Sequence, residues 1–155
     1  MVGRIDLDEL RAAIGDRTLA VAIMAANNET GTVQPVREIG AVCRDAKALF
    51  FCDLTQALGW HPIDVDRDGI DLAALSAHKI YGPKGAGALF VRRGARDRLA
   101  PVTFGGGHEH GLRSGTPNVP GAVGLGAACD LMAEHGGAIA AETKRLRDRL
   151  RARLF

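Results

Sequence analysis

The chain has 155 residues, of which 46% are hydrophobic and 25% are charged, a composition typical of a globular protein and not of a disordered or fibrous one. Aromatic residues make up only 5% of the chain, so we expect a core of alanine, valine, leucine and isoleucine. The 20 basic residues exceed the 18 acidic ones by two, and this excess is too small to predict a nucleic-acid partner.

The three cysteines, Cys43, Cys52 and Cys129, lie far apart and form no C-x-x-C pair. Their spacing argues against a disulfide framework and a cysteine-rich zinc site, and it suits a reducing cytoplasm. No apolar run approaches the ~18 residues that a membrane span needs. We therefore expect a cytoplasmic protein of one domain, with no membrane partner and with its thiols buried as small apolar groups.

The first third of the chain predicts a helix, a strand and a second helix. Asp6 can cap a short helix, because Glu9 follows three residues later. Residues 18–25 are an apolar run of strand length, and the polar residues 27–31 follow it. Pro35 can begin the second helix, since apolar residues recur after it at helical spacing.

Strands and connections alternate through the middle of the chain. The predicted strands are residues 48–52, 72–75 and 86–91, separated by a polar connection at 62–69 and a Gly/Pro loop at 81–85. This alternation predicts an α/β sheet with substantial parallel pairing.

The last third combines a glycine-rich loop at residues 105–111, a Gly/Ala-rich segment at 121–132 and a charged helix from about Ala138. In this helix, basic residues flank an apolar stripe, which predicts a packed helix with a solvated face and not a membrane or nucleic-acid site. The stripe consists of Leu146, Leu150 and Leu154, and the basic residues are Lys144, Arg145, Arg147, Arg149, Arg151 and Arg153.

Three polar residues, Asn28, Asp53 and Lys79, each lie just beyond the end of a predicted strand. In open α/β sheets, ligands bind outside the carboxyl ends of the strands. Residues that are far apart in the sequence can therefore converge on one ligand.

Lys79 and Asp53 are the pair of candidate residues that most clearly suggests a chemical reaction. A partly desolvated lysine can lose its proton and attack a carbonyl, although a single lysine is more often a plain surface residue. A carboxylate in the position of Asp53 can cap a following helix, or it can hold a proton on a pyridine nitrogen. The second role, combined with a Schiff-base lysine, is the pairing that pyridoxal phosphate (PLP) requires.

Neighbouring residues can complete such a site. Ser76 and His78 flank the lysine and can bind a phosphate, although a histidine such as His78, taken alone, is more often a structural residue. Gln56 lies three residues after Asp53 and can hydrogen-bond a ring substituent. Residues 105–107 are all glycine and can form either a backbone amide nest for an anion or a plain turn.

Four segments resemble successive motifs of the cysteine desulfurases, within the class V PLP-dependent aminotransferases. They are residues 27–31 (NNETG), 53–56 (DLTQ), 76–85 (SAHKIYGPKG) and 105–116 (GGGHEHGLRSGT). The segments occur in the family's order with compatible spacing, and the resemblance extends from about Ile5 to the C-terminal helix. It implies an α/β fold, a partial PLP-transferase type I large domain with a mostly parallel sheet flanked by helices.

The resemblance also implies roles around a PLP cofactor. Lys79 would be the catalytic residue that carries the internal aldimine, and Asp53 would pair with the pyridine nitrogen. Asn28 and Gln56 would approach the phenolic oxygen.

The same resemblance implies how the phosphate is held. Ser76 and His78 would bind it within one subunit. Thr116 would reach the phosphate bound in a neighbouring subunit, so the family site is completed across a homodimer interface.

In the family's reaction, L-cysteine becomes L-alanine and an enzyme cysteine receives the sulfur as a persulfide. That sulfur passes to acceptor or scaffold proteins for iron–sulfur cluster assembly or thio-modification. The nucleophilic cysteine lies C-terminal to the segment that residues 113–116 resemble, and a phosphate loop and a ring-stacking histidine lie N-terminal to the matched region. This sequence includes none of these three parts.

We therefore expect residues 1–155 to form a single partial PLP-binding domain, in which 138–155 is the helix that leads into the family's small domain. Such a chain would not turn over cysteine alone. The alternative is a non-catalytic remnant or interaction module that pairs with a full-length relative or a scaffold protein.

Overall fold

The computed structural model describes residues 3–155, which fold into a four-stranded sheet with helices. The helices are α1 (Leu7–Ala13), α2 (Val36–Asp45) and α3 (Val119–Leu154), and the strands are β1 (Ala20–Met24), β2 (Leu49–Asp53), β3 (Leu72–Ser76) and β4 (Gly87–Val91). Short 3₁₀ turns cover Ala77–Ile80, Arg93–Arg98 and Glu109–Gly111.

The strands lie side by side in chain order, β1-β2-β3-β4. β1, β2 and β3 are parallel, whereas β4 runs antiparallel to β3. The expectation of an α/β fold with a mostly parallel sheet and flanking helices is therefore confirmed.

The two N-terminal helices begin where the sequence predicts. The Asp6 carboxylate accepts hydrogen bonds from the backbone N–H groups of Asp8 (2.8 Å) and Glu9 (3.0 Å), so it satisfies two donors that the first turn of α1 leaves free. α2 begins directly after Pro35 and buries Ile39 and Cys43.

The main core lies between α2 and one face of the sheet. Phe50, Cys52 and Ala73 contribute from the strands, and Ile39 and Cys43 contribute from α2, each with at most 1% of its surface exposed. A smaller cluster on the opposite face contains Leu49, Leu72 and Ala95.

Helix α3 joins two segments that the sequence analysis described separately, the Gly/Ala-rich residues 121–132 and the charged residues from 138 onward. Gly136 and Gly137 lie in its interior without breaking it. Gly136 is buried, and a Cβ atom there would lie 3.1 Å from the carbonyl oxygen of Gly59, so close packing outweighs the low helix propensity of glycine. No helix in the described range, residues 3–155, is both long and apolar enough to cross a membrane.

Candidate functional site

Asp53 is the last residue of β2 and stands in the middle of a row of side chains that crosses the sheet. Strand register aligns Met24, Asp53, Ala74 and Leu89. Aligned residues point to the same face of a sheet, so Asp53 points away from the side that α2 covers. Met24 is 39% exposed and Leu89 is 54% exposed, so this face is open at the carboxyl end of β2.

The Asp53 carboxylate has one oxygen engaged in the fold. Its Oδ1 accepts a hydrogen bond of 2.8 Å from the backbone N–H of Thr55, which fixes the turn after β2. Capping was one of the two roles that the sequence allowed for this residue, and the cap closes a turn instead of a helix. Since this bond uses one oxygen, it does not prevent Oδ2 from binding a ligand.

Lys79 lies on the 3₁₀ turn that follows β3. Ala77 and Ile80 point inward and are buried, which leaves His78 and Lys79 on the outer side of the turn. The turn ends at Tyr81, whose φ of 68° is left-handed. Lys79 is exposed in this chain, so it is not partly desolvated as the sequence interpretation had it.

The Lys79 turn and Asp53 lie at the same end of the sheet, where the parallel strands terminate at their carboxyl ends; we call this end the carboxyl edge. Ala74 pairs with Asp53, and β3 continues only to Ser76 before the turn begins. β1 joins the arrangement because the backbone N–H of Ala25 donates to the carbonyl oxygen of Asp53 at 2.8 Å. The loop that carries Asn28 follows Ala25, so the three predicted segments converge at the carboxyl ends of three parallel strands.

Ser76 and His78, the two predicted phosphate ligands, are already in contact. Ser76 Oγ and His78 Nδ1 lie 2.8 Å apart and share a hydrogen bond. The hydroxyl and the imidazole therefore form one polar pair next to Lys79, and each group can donate to an anion once the bond between them is released.

The two predicted ligands of the phenolic oxygen come from the loops after β1 and β2. Asn28 is exposed, and its Nδ2 donates to Glu29 Oε1 at 2.7 Å. Gln56 is half-buried in the turn that Asp53 caps. Their loops meet the sheet at the same edge as Asp53.

The glycine-rich loop is closed by its own hydrogen bonds. The backbone N–H of Gly107 donates to Ser114 Oγ at 3.3 Å, and Ser114 is buried. That N–H is consequently not free for an anion nest. Thr116 is exposed just beyond this loop, and its role toward a neighbouring subunit stays a prediction.

The buried cysteines are poor nucleophiles. Burial, followed by the charge of Asp71, raises the pKa of Cys43 to about 11. Burial, followed by the charge of Asp53, raises the pKa of Cys52 to about 12. Both therefore remain thiols near neutral pH. Cys129 lies on α3 and is partly buried against the cluster of Ile80, Ala128 and Met132.

A packing feature that the sequence analysis missed supports the Lys79 turn. Gly124, Ala128, Met132 and Gly136 recur every four residues on one face of α3. Ala128 and Met132 pack against Ile80 of the turn. The four-residue spacing of Gly124, Ala128 and Gly136, with Met132 in the same series, was the signal in the sequence that could have identified this face.

A cavity of about 440 Å³ opens beside the start of α2, away from Lys79 and Asp53. Its cationic lining residues include Arg4, Arg37 and Arg67, and Arg67 is already paired with Asp68 at 2.7 Å. None of the predicted site residues lines this cavity, and those on the segments after β1, β2 and β3 lie at the carboxyl edge of the sheet instead.

Comparison with known proteins identifies the family. The model of the family described as aminotransferase class-V matches residues 1–155, the whole chain. This chain belongs to the class-V aminotransferase family.

Relatives within the family are cysteine desulfurases. The chain is 55% identical, over 149 residues, to "Cysteine desulfurase IscS" of Anaeromyxobacter sp. (strain Fw109-5), an alignment that covers 96% of this chain and 37% of the relative. The chain therefore spans little more than a third of the length of this curated relative.

Solved structures agree on the fold. A structure described as a NifS-like protein superposes with a TM-score of 0.92 at 39% identity, covering 98% of this chain and 42% of that one. A structure described as SspA in complex with cysteine superposes with a TM-score of 0.79 at 44% identity, covering 83% and 37%.

Proposed function

We propose that this chain forms the PLP-binding part of a cysteine desulfurase. The observation that carries the proposal is the position of Asp53 and the Lys79 turn, which lie at the same edge of two adjacent parallel strands. Family membership and the cysteine desulfurase names of the relatives support it.

The side chains at this edge fit PLP chemically. A primary amine, a carboxylate and an adjacent hydroxyl–imidazole pair match an aldehyde, a pyridine nitrogen and a phosphate respectively. In the row that crosses the sheet, Ala74 lies between Asp53 on β2 and Leu89 on β4 and carries only a methyl group. This leaves space above Ala74 for a planar ring.

Each residue would have a defined task. Lys79 Nζ would bond to the aldehyde carbon, and the Asp53 carboxylate would hold the proton on the pyridine nitrogen. When bound, PLP supplies an electron sink for the substrate's α-carbon. Asn28 and Gln56 would donate to the phenolic oxygen.

The phosphate would be held from two subunits. Ser76 and His78 would donate to it within one chain, and Thr116 would donate to it from a second copy. The proposal therefore includes a homodimer in which each site is complete only after association.

The proposed substrate is L-cysteine, as the names of the relatives and the cysteine complex of a similar structure indicate. In the overall reaction, a cysteine and a protein thiol give alanine and a protein persulfide. Cys43 and Cys52 are unsuited to receive the sulfur because both are buried and carry raised pKa values. Cys129 is held on helix α3, where it packs against the cluster of Ile80, Ala128 and Met132. The acceptor thiol would therefore lie outside residues 3–155, or on an acceptor or scaffold protein that serves iron–sulfur assembly in the cytoplasm.

Borohydride trapping tests this proposal. The purified chain is titrated with PLP, reduced with borohydride, digested, and its peptides are examined by mass spectrometry. We expect a pyridoxyl group on Lys79, none in Lys79→Ala, and no loss in Lys84→Ala, which removes an exposed lysine from the same loop. Labels spread evenly over Lys47, Lys84 and Lys144 would refute the proposal.

The second candidate, a non-catalytic interaction module, rests on the distal half of α3. Leu146, Leu150 and Leu154 are 49%, 60% and 66% exposed, and they form one apolar stripe. A module of this kind would pair with a full-length relative or a scaffold protein through the stripe. Leu150→Glu would then abolish association with the relative while leaving PLP trapping on Lys79 unchanged, and association that survives the substitution would rule out this mode of pairing.

A further inference from the structure

The loop that carries Asn28 is organised around the side chain of Asn27. Asn27 Oδ1 accepts hydrogen bonds from the backbone N–H groups of Glu29 and Thr30, each at 2.9 Å, and from Thr30 Oγ1 at 3.2 Å. Asn28 therefore lies within a turn in which the two residues after it, Glu29 and Thr30, both donate to the side chain of the residue before it, Asn27. Such a turn fixes the backbone of the enclosed residue.

Asn27 also ties this turn to the sheet. Its backbone N–H donates to the carbonyl oxygen of Thr32 at 2.9 Å, and its own carbonyl oxygen accepts from Gly31 N–H at 3.1 Å. Its Nδ2 lies 3.2 Å from the sulfur of Met24, the last residue of β1. The loop is thus closed on itself and anchored next to the row that contains Asp53.

The two asparagines differ in what their side chains are free to do. Asn27 is half-buried and uses both its carbonyl oxygen and its amide nitrogen within the loop. Asn28 is exposed, and within residues 3–155 its side-chain amide donates to the neighbouring carboxylate of Glu29 alone, at 2.7 Å. Asn28 can turn to a ligand, whereas Asn27 cannot do so without releasing the loop.

We propose that Asn27 is a positioning residue, which fixes the position of Asn28 at the carboxyl edge of the sheet and does not itself touch PLP. The inference rests on the proposed function, since it assigns Asn27 a role toward the same cofactor. An aspartate would retain the acceptor oxygen for the three donors and lose the contact of Nδ2 with the Met24 sulfur, whereas an alanine would remove both.

The test compares four variants of the 155-residue chain by PLP titration. We expect Asn27→Ala and Asn28→Ala each to weaken PLP affinity by about tenfold, and Asn27→Asp to remain within about twofold of the unaltered chain. Because Asn27 acts through Asn28, the double variant should bind no more weakly than Asn28→Ala alone. The absorption band of bound PLP should shift in Asn27→Ala to the position that it takes in Asn28→Ala.

A second measurement follows the loop itself without cofactor. Hydrogen exchange at the amides of Glu29 and Thr30 should accelerate in Asn27→Ala and stay protected in Asn27→Asp. Thr30→Val keeps the side-chain shape but removes the hydroxyl that donates to Asn27 and also contacts the hydroxyl and backbone N–H of Thr32. It should weaken PLP affinity by about threefold, and it serves if Asn27→Ala does not fold.

The outcomes separate this inference from the proposed function. If the unaltered chain binds no PLP, the proposed function fails and the inference fails with it. If the unaltered chain binds PLP but Asn27→Ala binds equally well, or if the two alanine substitutions weaken binding additively, only the positioning role is overturned. Unchanged exchange at Glu29 and Thr30 in Asn27→Ala would overturn it as well.

Discussion

Asp53 divides its carboxylate between the fold and the candidate site. Oδ1 closes the turn through the backbone N–H of Thr55 at 2.8 Å, while the proposed role requires a negative charge facing a pyridine nitrogen. The two roles can be separated because an amide keeps the acceptor but loses the charge.

Replacing Asp53 by asparagine should therefore preserve the fold and impair the site. We expect Asp53→Asn to change the free energy of unfolding in urea by less than about 1 kcal/mol, and to reduce PLP trapping on Lys79 at least tenfold. Asp53→Ala should lose the turn acceptor as well, at an additional cost of about 1 kcal/mol. Undiminished trapping in Asp53→Asn would exclude the proposed contact with the ring.

The thiols should differ sharply in reactivity. At pH 8 in the folded chain, we expect iodoacetamide to modify Cys129 first, and Cys43 and Cys52 at least about a hundredfold more slowly, since both are buried with pKa values raised to about 11 and about 12. In denaturing urea the three rates should become similar. Peptide mass spectrometry over time measures this, and fast labelling of Cys52 in the folded chain would contradict its burial.

Among the elements, α3 supports the Lys79 turn through Ala128 and Met132 and approaches the loop after that turn at Gly124. A Cβ atom at Gly124 would lie 2.8 Å from Pro83 Cγ, in the loop after the turn, whereas a Cβ atom at Gly126 would meet nothing within 4 Å. Replacing each of these two glycines by alanine therefore separates the effect of close packing, at Gly124, from the effect of helix propensity, at Gly126.

Gly124→Ala should destabilise the chain and Gly126→Ala should stabilise it. The first forces Pro83 to move, and the second gains up to about 1 kcal/mol of helix propensity without a steric cost. Thermal unfolding followed by circular dichroism measures both. Stabilisation by Gly124→Ala would show that α3 does not pack tightly against this loop.

The crossover between β2 and β3 is held by a buried carboxylate. Asp68 is only 3% exposed, and its oxygens accept from Arg67 Nε (2.7 Å), Arg67 Nη2 (2.8 Å) and the backbone N–H of Asp64 (2.9 Å). The hydrogen bonds from Arg67, more than any other contact, hold the pKa of Asp68 below its usual value of 3.8.

This network should make stability depend on pH on the acid side. Because the folded-state pKa of Asp68 is lowered, its contribution is complete above the ordinary carboxyl pKa and is lost as the pH falls through the folded-state value. We expect the free energy of unfolding to fall below about pH 4, and Asp68→Asn to flatten that fall while costing about 1–3 kcal/mol at pH 7. Asp16→Asn removes an exposed carboxylate and is the control. If Asp16→Asn flattened the acid-side loss of unfolding free energy as much as Asp68→Asn does, the stabilising role of Asp68 would be contradicted.

For the molecule as a whole, the local patterns predicted most elements and the segments that meet at the candidate site. The cap at Asp6, the four strands and the start of α2 after Pro35 depend on residues close in the sequence, and each is found. The burial of β1 that its apolar run predicts is not found, because only Val21 of its five residues is buried. The resemblance of the four motifs identified the family that the comparisons also find.

Features that depend on distant residues were not predictable. The antiparallel pairing of β4 and the alignment of Asp53 with Ala74 follow from strand register, which no single segment encodes. The continuity of α3 through Gly136 depends on the backbone of Gly59, and the exposure of Lys79 depends on which residues of its turn are buried.

A crystal structure of this chain grown with PLP would show whether Lys79 and Asp53 bind the cofactor together. We expect density for one cofactor at the carboxyl edge of the sheet, bonded to Lys79, with its pyridine nitrogen within hydrogen-bond distance of the Asp53 carboxylate. A cofactor found instead in the cavity beside Arg37 and Arg67, with Lys79 unbonded, would contradict it.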